Sequence, residues 1–228
     1  MSLLAVSGLE TFYGASQALF GVELDVAQGE VVALMGRNGM GKTTTLRSIM
    51  GLSRPRGGSV RFDGQELAGL RPPQIARLGI GLVPEGRRCF ANLTVHENLV
   101  AAARPGPWDE RRIVDLFPRL GERRTQYARS LSGGEQQMLA VGRALMTNPR
   151  LLIVDEATEG LAPIIRQDIW SVLRKLKANG QSILVVDKTL SELLPTADRC
   201  FILEKGKTVH HGTSAMLTRD ILERYLGV

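Results

Sequence analysis

The chain has 228 residues, 43% of them hydrophobic, with 29 Lys and Arg against 23 Asp and Glu and a formal net charge of +6. That length suits one α/β domain, or one domain with a small insertion, and the apolar content suffices for a sizeable core. No apolar run is long enough to cross a bilayer, the start Met1-Ser2-Leu3-Leu4-Ala5 lacks the pattern of a secretory signal, and the basic residues are scattered in pairs such as Arg87-Arg88, Arg111-Arg112 and Arg123-Arg124. Scattered charge reads as a solvated surface first and a membrane-facing side second, not as a nucleic-acid stripe. The two cysteines, Cys89 and Cys200, have no metal-ligand spacing and read as packing residues in a reducing, cytosolic setting.

In chain order, residues 3–9, 23–26 and 59–62 are short, part-alternating runs that predict strands, with Gly57-Gly58 and Asp63-Gly64 as turns. The apolar run Val31-Val32-Ala33-Leu34-Met35 predicts a buried strand. It leads into Gly36-Arg37-Asn38-Gly39-Met40-Gly41-Lys42-Thr43, a GxxxxGK[ST] phosphate-binding loop, and then into a helical stretch over 43–50. The glycines let the backbone curl so that its amides face a polyphosphate, and the helix N-terminus faces the same anions. Lys42 brings a point charge for the β- and γ-phosphates, Thr43 a hydroxyl for Mg²⁺, and Thr44 is expected to bind the nucleotide beside them.

Further on, Gly81-Leu82-Val83 and residues 151–154 and 183–186 resemble buried parallel strands. Residues 86 to about 130 are Arg- and Glu-rich and helical, broken by Arg104-Pro105-Gly106-Pro107, and read as a helical insertion between residues 1–85 and 131–228. Ser132 and Glu135 fit a capping box at the start of a helix over 138–146, with Gly133 and Gly134 in its first turn. Two glycines there are poor helix formers, but they bare amides for an anion. One nucleotide rarely needs two such helix ends, so this surface is expected to serve the nucleotide on another copy of the chain. The strand over 151–154 ends in Asp155-Glu156. Asp155 is placed to hold Mg²⁺ beside Thr43, and Glu156 to orient or deprotonate a water. Residues 164–176 carry a helical apolar stripe, and Glu204-Lys205-Gly206 turns a C-terminal hairpin. His96, His210 and His211 are expected to form no catalytic or metal set, and Trp108 and Trp170 to be packing residues.

Leu131-Ser132-Gly133-Gly134-Glu135-Gln136-Gln137, with the phosphate loop and the acidic strand end, resembles the nucleotide-binding subunits of ABC transporters over essentially the whole chain. The loop 36–41, Val83-Pro84-Glu85-Gly86-Arg87-Arg88, Leu93-Thr94-Val95-His96-Glu97-Asn98-Leu99 and Glu159-Gly160-Leu161-Ala162-Pro163 resemble the ATPases of branched-chain amino acid importers and their urea and amide relatives. The resemblance implies a P-loop NTPase core with a mainly parallel sheet, an N-terminal antiparallel β subdomain and an inserted α-helical subdomain. It implies ATP and Mg²⁺ as cofactors, Tyr13 stacked on adenine, and a head-to-tail homodimer or heterodimer with two ATP molecules sandwiched between phosphate loop and signature. It also implies integral membrane permease subunits, an extracytoplasmic solute-binding protein, and a place on the cytoplasmic face of the membrane.

The chain departs from the general family pattern at three positions. Glu85 stands where most members have Gln, and its carboxylate can reach Mg²⁺ or its water. Residues 159–162 lack the Asp that usually crosses the dimer interface. Lys188 stands at the switch position where the family has His. An ammonium neutralises γ-phosphate charge but cannot accept a hydrogen bond. Lys188 is therefore expected either to contact phosphate, or to face solvent or pair with Asp187 and leave the chemistry to Glu156. The main expectation is an importer ATPase; the alternative is a low-turnover nucleotide-dependent switch, and a soluble ABC ATPase of DNA repair or translation ranks last for want of length.

Overall fold

Among the described residues, 2–227, the computed structural model has ten strands in two sheets. The chain opens with β1 (Ser2–Tyr13), β2 (Ser16–Ala27) and β3 (Val31–Met35), then α1 (Lys42–Ile49), β4 (Pro55–Phe62), β5 (Gln65–Glu66), α2 (Pro72–Arg77) and β6 (Ile80–Val83). Three short helices follow, α3 (Val95–Ala102), α4 (Glu110–Leu116) and α5 (Pro118–Glu122), and then the long α6 (Gly133–Met146). The rest is β7 (Leu151–Asp155), α7 (Pro163–Ala178), β8 (Ser182–Val186), α8 (Leu190–Thr196), β9 (Arg199–Glu204), β10 (Lys207–Thr213) and α9 (Arg219–Leu226).

The larger sheet runs β10-β9-β3-β8-β7-β6, with every pairing parallel except β10 on β9. Every residue of β3, β7 and β8 is buried, which is why these segments read as unbroken apolar runs. Alternate residues point to opposite faces. Val31, Ala33 and Met35 pack with Leu139 of α6 and Ile169 and Trp170 of α7. Val32 and Leu34 pack with Ile49 of α1 and with the smaller antiparallel sheet, β2-β1-β4-β5. One sheet thus separates two cores, and the loops at its carboxyl edge gather in one place.

The α/β core expected from the sequence is present, but the N-terminal strands are longer than the runs over 3–9 and 23–26. Register shifts between Val6 and Leu9, and at Glu10, break the alternation that would have marked the full strand. Gly57-Gly58 is not a turn. Both residues lie inside β4, where the β1–β4 register slips between Ser7 and Glu10. Gly58 has φ +82, and a Cβ there would overlap the carbonyl of Gly8. The glycine is required by close approach of two backbones. Asp63-Gly64 (φ +51 and +77) and Lys205-Gly206 (φ +48 and +73) do form tight left-handed turns.

The segment 86–130 holds α3, α4 and α5, joined by irregular chain. It sits on α6 through Gly142, where an added Cβ would lie 2.8 Å from Ile113 and 3.2 Å from Leu99. Asn98 is fully buried; its amide donates to the carbonyls of Phe90, Leu93 and Thr94, and its Oδ1 accepts from Phe90 N–H. That one side chain folds the loop before α3. His96 makes a surface contact: its Nδ1 is 2.8 Å from Glu110, which also binds Arg124 at 2.8 Å. All three are partly exposed and stitch α3 to α4. Trp170 is fully buried and both cysteines are free.

Gly58→Ala is expected to destabilise the chain by about 1–3 kcal/mol, since it adds left-handed strain to an overlap with main chain that cannot swing aside. Urea unfolding midpoints read this directly; an unchanged midpoint would refute the close-approach account.

Candidate functional site

The loop between β3 and α1 is built by two glycines that tolerate no side chain. Gly36 has φ +142 and a Cβ there would lie 2.5 Å from the carbonyl oxygen of Leu203; Gly41 has φ +102 and a Cβ there would lie 2.7 Å from the Leu19 side chain. The loop is pinned to the β9–β10 turn. Gly206 N–H donates to the Met40 carbonyl at 3.1 Å, and Lys205 N–H lies 3.1 Å from Met40 Sδ. Lys42 is buried, and its ammonium donates to the carbonyls of Gly36 (2.8 Å) and Arg37 (3.1 Å), closing the loop on itself. Burial holds its pKa below the usual lysine value; the Glu156 carboxylate works in the opposite direction, and Lys188 adds to the depression.

Facing the loop is the carboxyl end of β7. Asp155 is buried, and its Oδ1 accepts from Thr43 Oγ1 at 3.4 Å. Burial, then the negative charge of Glu85, push its pKa up to about 6, against the pull of Thr43 and Lys42. Glu156 has φ +47, a left-handed value rare for a side-chain-bearing residue, and its N–H donates to the Val186 carbonyl at 2.8 Å. Its carboxyl pKa is raised, first by burial.

Lys188 bridges Glu156 (3.0 Å) and Glu159 (2.6 Å), and these two partners hold its pKa above the ordinary lysine value. Its side chain is solvent-exposed, as one of the expected alternatives had it, but its partners are these two glutamates and not Asp187. The Asp187 carboxylate is already taken by the Thr158 hydroxyl at 2.6 Å and the Thr189 N–H at 2.9 Å. The exposed Glu85 brings a third carboxylate: Glu85, Glu156 and Glu159 have oxygens within 4.8 Å of one another.

Most of these groups share one open cleft of about 490 Å³; Asp155 is not among its lining residues and meets it through Thr43. Asn38, Gly39, Gly41, Lys42, Thr43, Thr44, Glu85, Glu156 and Lys188, all read from the sequence, line it. Gly36, Arg37 and Met40 turn the other way, to an adjoining hollow under Tyr225 and Leu226 of α9. Tyr13 is half exposed beside the cleft, its hydroxyl 3.4 Å from Thr44 and 3.3 Å from Ser53, and is not among the lining residues. The wall there is made by Gln17, Ala18 and Phe20 of β2, with Lys205 from the hairpin turn. No motif marked those residues, because only the packing of β2 and the hairpin on the loop brings them in. Glu159 also lines the cleft; its place three residues after Glu156 was the available signal.

Ser132, Gly133, Gly134 and Glu135 are not among the residues lining this cleft. They form the N-terminus of α6: Glu135 N–H donates to Ser132 Oγ at 3.3 Å, Ser132 N–H donates to the Glu135 carboxylate at 2.8 Å, and Arg123 lies 3.5 Å from that carboxylate. The capping box is as expected. The resulting turn presents two side-chain-free residues at the positive end of a 14-residue helix.

The arrangement offers curled main-chain amides, one buried ammonium, a hydroxyl and a buried carboxylate with hard oxygen donors, and a second carboxylate at the cleft wall. Such a set suits a polyphosphate with Mg²⁺ and a water beside it.

The ABC transporter family profile matches residues 19–159. The high-affinity branched-chain amino acid transport ATP-binding protein BraG of Pseudomonas aeruginosa is 43% identical, with 99% of this chain and 100% of that protein covered. The lipopolysaccharide export system ATP-binding protein LptB of Haemophilus influenzae is 32% identical, with 100% and 98% covered. An ATP-binding cassette of an ABC transporter, solved in its ADP conformation, superposes with a TM-score of 0.83 at 26% identity over the full length of both chains. The phosphate loop, the acidic strand end and these full-length likenesses agree: the chain is an ATP-hydrolysing member of the ABC transporter family.

Proposed function

We propose that the chain powers the uptake of branched-chain amino acids, or of a related small polar solute, through a separate integral membrane permease. The observation that carries the catalytic part is the meeting of Lys42, Thr43 and Glu156 in one cleft, with Asp155 hydrogen-bonded to Thr43. The solute class is supported by the 43% full-length identity to BraG, against 32% to an export ATPase. No helix among the described residues is long and apolar enough to cross a membrane, so transport by this chain needs a membrane partner. The segment with α3, α4 and α5 is the surface assigned to it. A solute-binding protein outside the membrane and a peripheral position on the cytoplasmic face belong to the same reading.

In this reading the phosphates lie along residues 36–44, and Lys42 leaves its two carbonyl partners to meet them. Thr43 and Asp155 would hold Mg²⁺, with Glu85 close by, and the ion would supply charge neutralisation at the phosphates. Glu156 takes the proton of the attacking water. Tyr13, beside the cleft, stacks on the adenine. Ser132, Gly133, Gly134 and Glu135 receive the nucleotide of a second cassette, because they stand outside this chain's own cleft. ATP would then close a dimer of two such chains, or of this chain and a second ATPase, and hydrolysis would reopen it.

The alternative, a switch of low turnover, is favoured by one observation: Lys188 already engages Glu156. The Lys188→Gln variant separates the two readings. In the ATPase reading the Glu156 and Glu159 carboxylates lose the charge that holds them, and kcat falls about tenfold or more; a rise in kcat would favour the switch.

Glu156→Gln is expected to bind ATP normally and to hydrolyse it about 10²–10⁴-fold more slowly, and to accumulate an ATP-bound dimer on size exclusion. Normal hydrolysis would remove Glu156 from its role. Lys42→Ala is expected to lose ATP affinity in calorimetry, and unchanged affinity would remove the phosphate-loop reading.

Asp155 gives a pH test. Its folded pKa of about 6 lies above the usual 3.8. The protonated form is therefore favoured by folding, and this stabilisation is complete below pH 3.8 and lost as pH rises through 6. Asp155→Asn is expected to stabilise the nucleotide-free chain by about 1–3 kcal/mol at pH 8, to change little at pH 4, and to weaken Mg²⁺-dependent ATP binding. Denaturant unfolding at the two pH values reads the first two outcomes, and equal effects at both would contradict the account.

A further inference from the structure

Arg87 has no part in the site as described, yet its side chain touches two segments that the site depends on. It follows Gly86 in the loop after β6, and the two residues have φ of +53 and +86. Two successive left-handed residues make a sharp turn, and for arginine that conformation carries strain. The turn is fixed on α6 by the residues just beyond it. The Arg88 carbonyl accepts from Arg143 at 2.5 Å, and the Cys89 thiol lies 3.2 Å from the Gln136 carbonyl.

From this anchored turn the half-buried Arg87 side chain reaches outward in two directions. One terminal nitrogen donates to the Gly160 carbonyl at 3.0 Å and lies 3.4 Å from that of Glu159. The other lies against Gly133 so closely that a Cβ there would overlap it. A planar guanidinium with several donors serves such a position, and a lysine does not. The contact continues beyond Glu159. Its carboxylate holds Lys188 at 2.6 Å, and Lys188 holds Glu156 at 3.0 Å. Glu156 itself stands in a left-handed backbone conformation, which persists only when the surroundings hold it.

We propose that Arg87 is a positioning residue that ties the first turn of α6 to the main chain at Glu159 and Gly160, and so sets the position of Glu156 through Glu159 and Lys188. Arg87 touches neither the phosphate loop nor the Asp155 carboxylate in this arrangement. Its effect falls on turnover and not on nucleotide affinity. It also makes the glycine at 133 necessary for a second reason: beyond baring amides, it leaves room for the guanidinium. The inference rests on Glu156 as the base, a role that Glu156→Gln tests separately.

The test uses the full chain with Arg87→Ala and Arg87→Lys, measuring kcat and KM for ATP, amide hydrogen exchange over residues 157–161, and rescue by ethylguanidinium. Arg87→Ala is expected to lower kcat about tenfold with KM within about twofold, to speed exchange over 157–161, and to recover part of its kcat with ethylguanidinium. Arg87→Lys is expected to stay impaired, because an ammonium cannot span both carbonyls and Gly133. If Arg87→Ala does not fold, exchange and kcat in Arg87→Lys decide the matter by the same criteria. A kcat within twofold of the parent, a loss confined to KM, unchanged exchange over 157–161, or absent rescue would each overturn the proposal. Unchanged exchange would do so even if Glu156 were misassigned, so the two failures are told apart.

Discussion

A buried ammonium inside a loop of bare main chain is the constraint around which the site is arranged. Lys42 is almost wholly out of water, and its charge is met by two carbonyls of its own loop. A buried charge without such partners costs several kcal/mol. The loop can keep the charge only because Gly36 and Gly41 let its carbonyls turn inward. Across from it stand Glu85, Glu156 and Glu159, with Lys188 and Lys205 as further cations, and Asp155 is held against Thr43. Burial first, then the neighbouring carboxylates Glu85 and Glu159, raise the pKa values of Asp155 and Glu156.

The parallel sheet supplies the geometry. β3 carries the phosphate loop and β7 carries the acids, with β8 between them. Because all three run parallel, their carboxyl ends open on one edge, and the loops after them meet there. β8 contributes Asp187 and Lys188 to the same edge, so its central place is functional as well as structural. Asp187 spends both of its oxygens fixing Thr158 and Thr189. That leaves Lys188 to the two glutamates and fixes where its charge sits.

Rigid parts and shared loops divide the labour. The two apolar clusters on either side of the sheet hold the strands, and Gly142 lets α3 and α4 settle closely on α6. The loops carry the chemistry, and two side chains join them: Lys188 reaches from the loop after β8 to Glu156 and Glu159, and Arg87 from the loop after β6 to Gly160 and Gly133.

The strongest signals in the sequence were those where one residue type is demanded by local geometry. The glycines and lysine of the phosphate loop, the apolar strand ending in two acids, and the Ser132–Glu135 capping box all have short-range causes and are readable without neighbours. Gly57-Gly58 misled for the opposite reason. The requirement at Gly58 is imposed by Gly8, far away in the chain, so two glycines that resembled a turn lie within a strand. Gln17, Ala18 and Phe20 were invisible because a strand residue lines a cleft only once its sheet has docked. The identity of the phosphate-binding chemistry was thus determined by sequence, since spacing along a loop sets where its own amides and ammonium point. The partners of Lys188, the reach of Arg87 and the protonation of Asp155 were decided by tertiary structure, because each depends on which distant charges, carbonyls and apolar walls the packed sheet brings within a few ångströms.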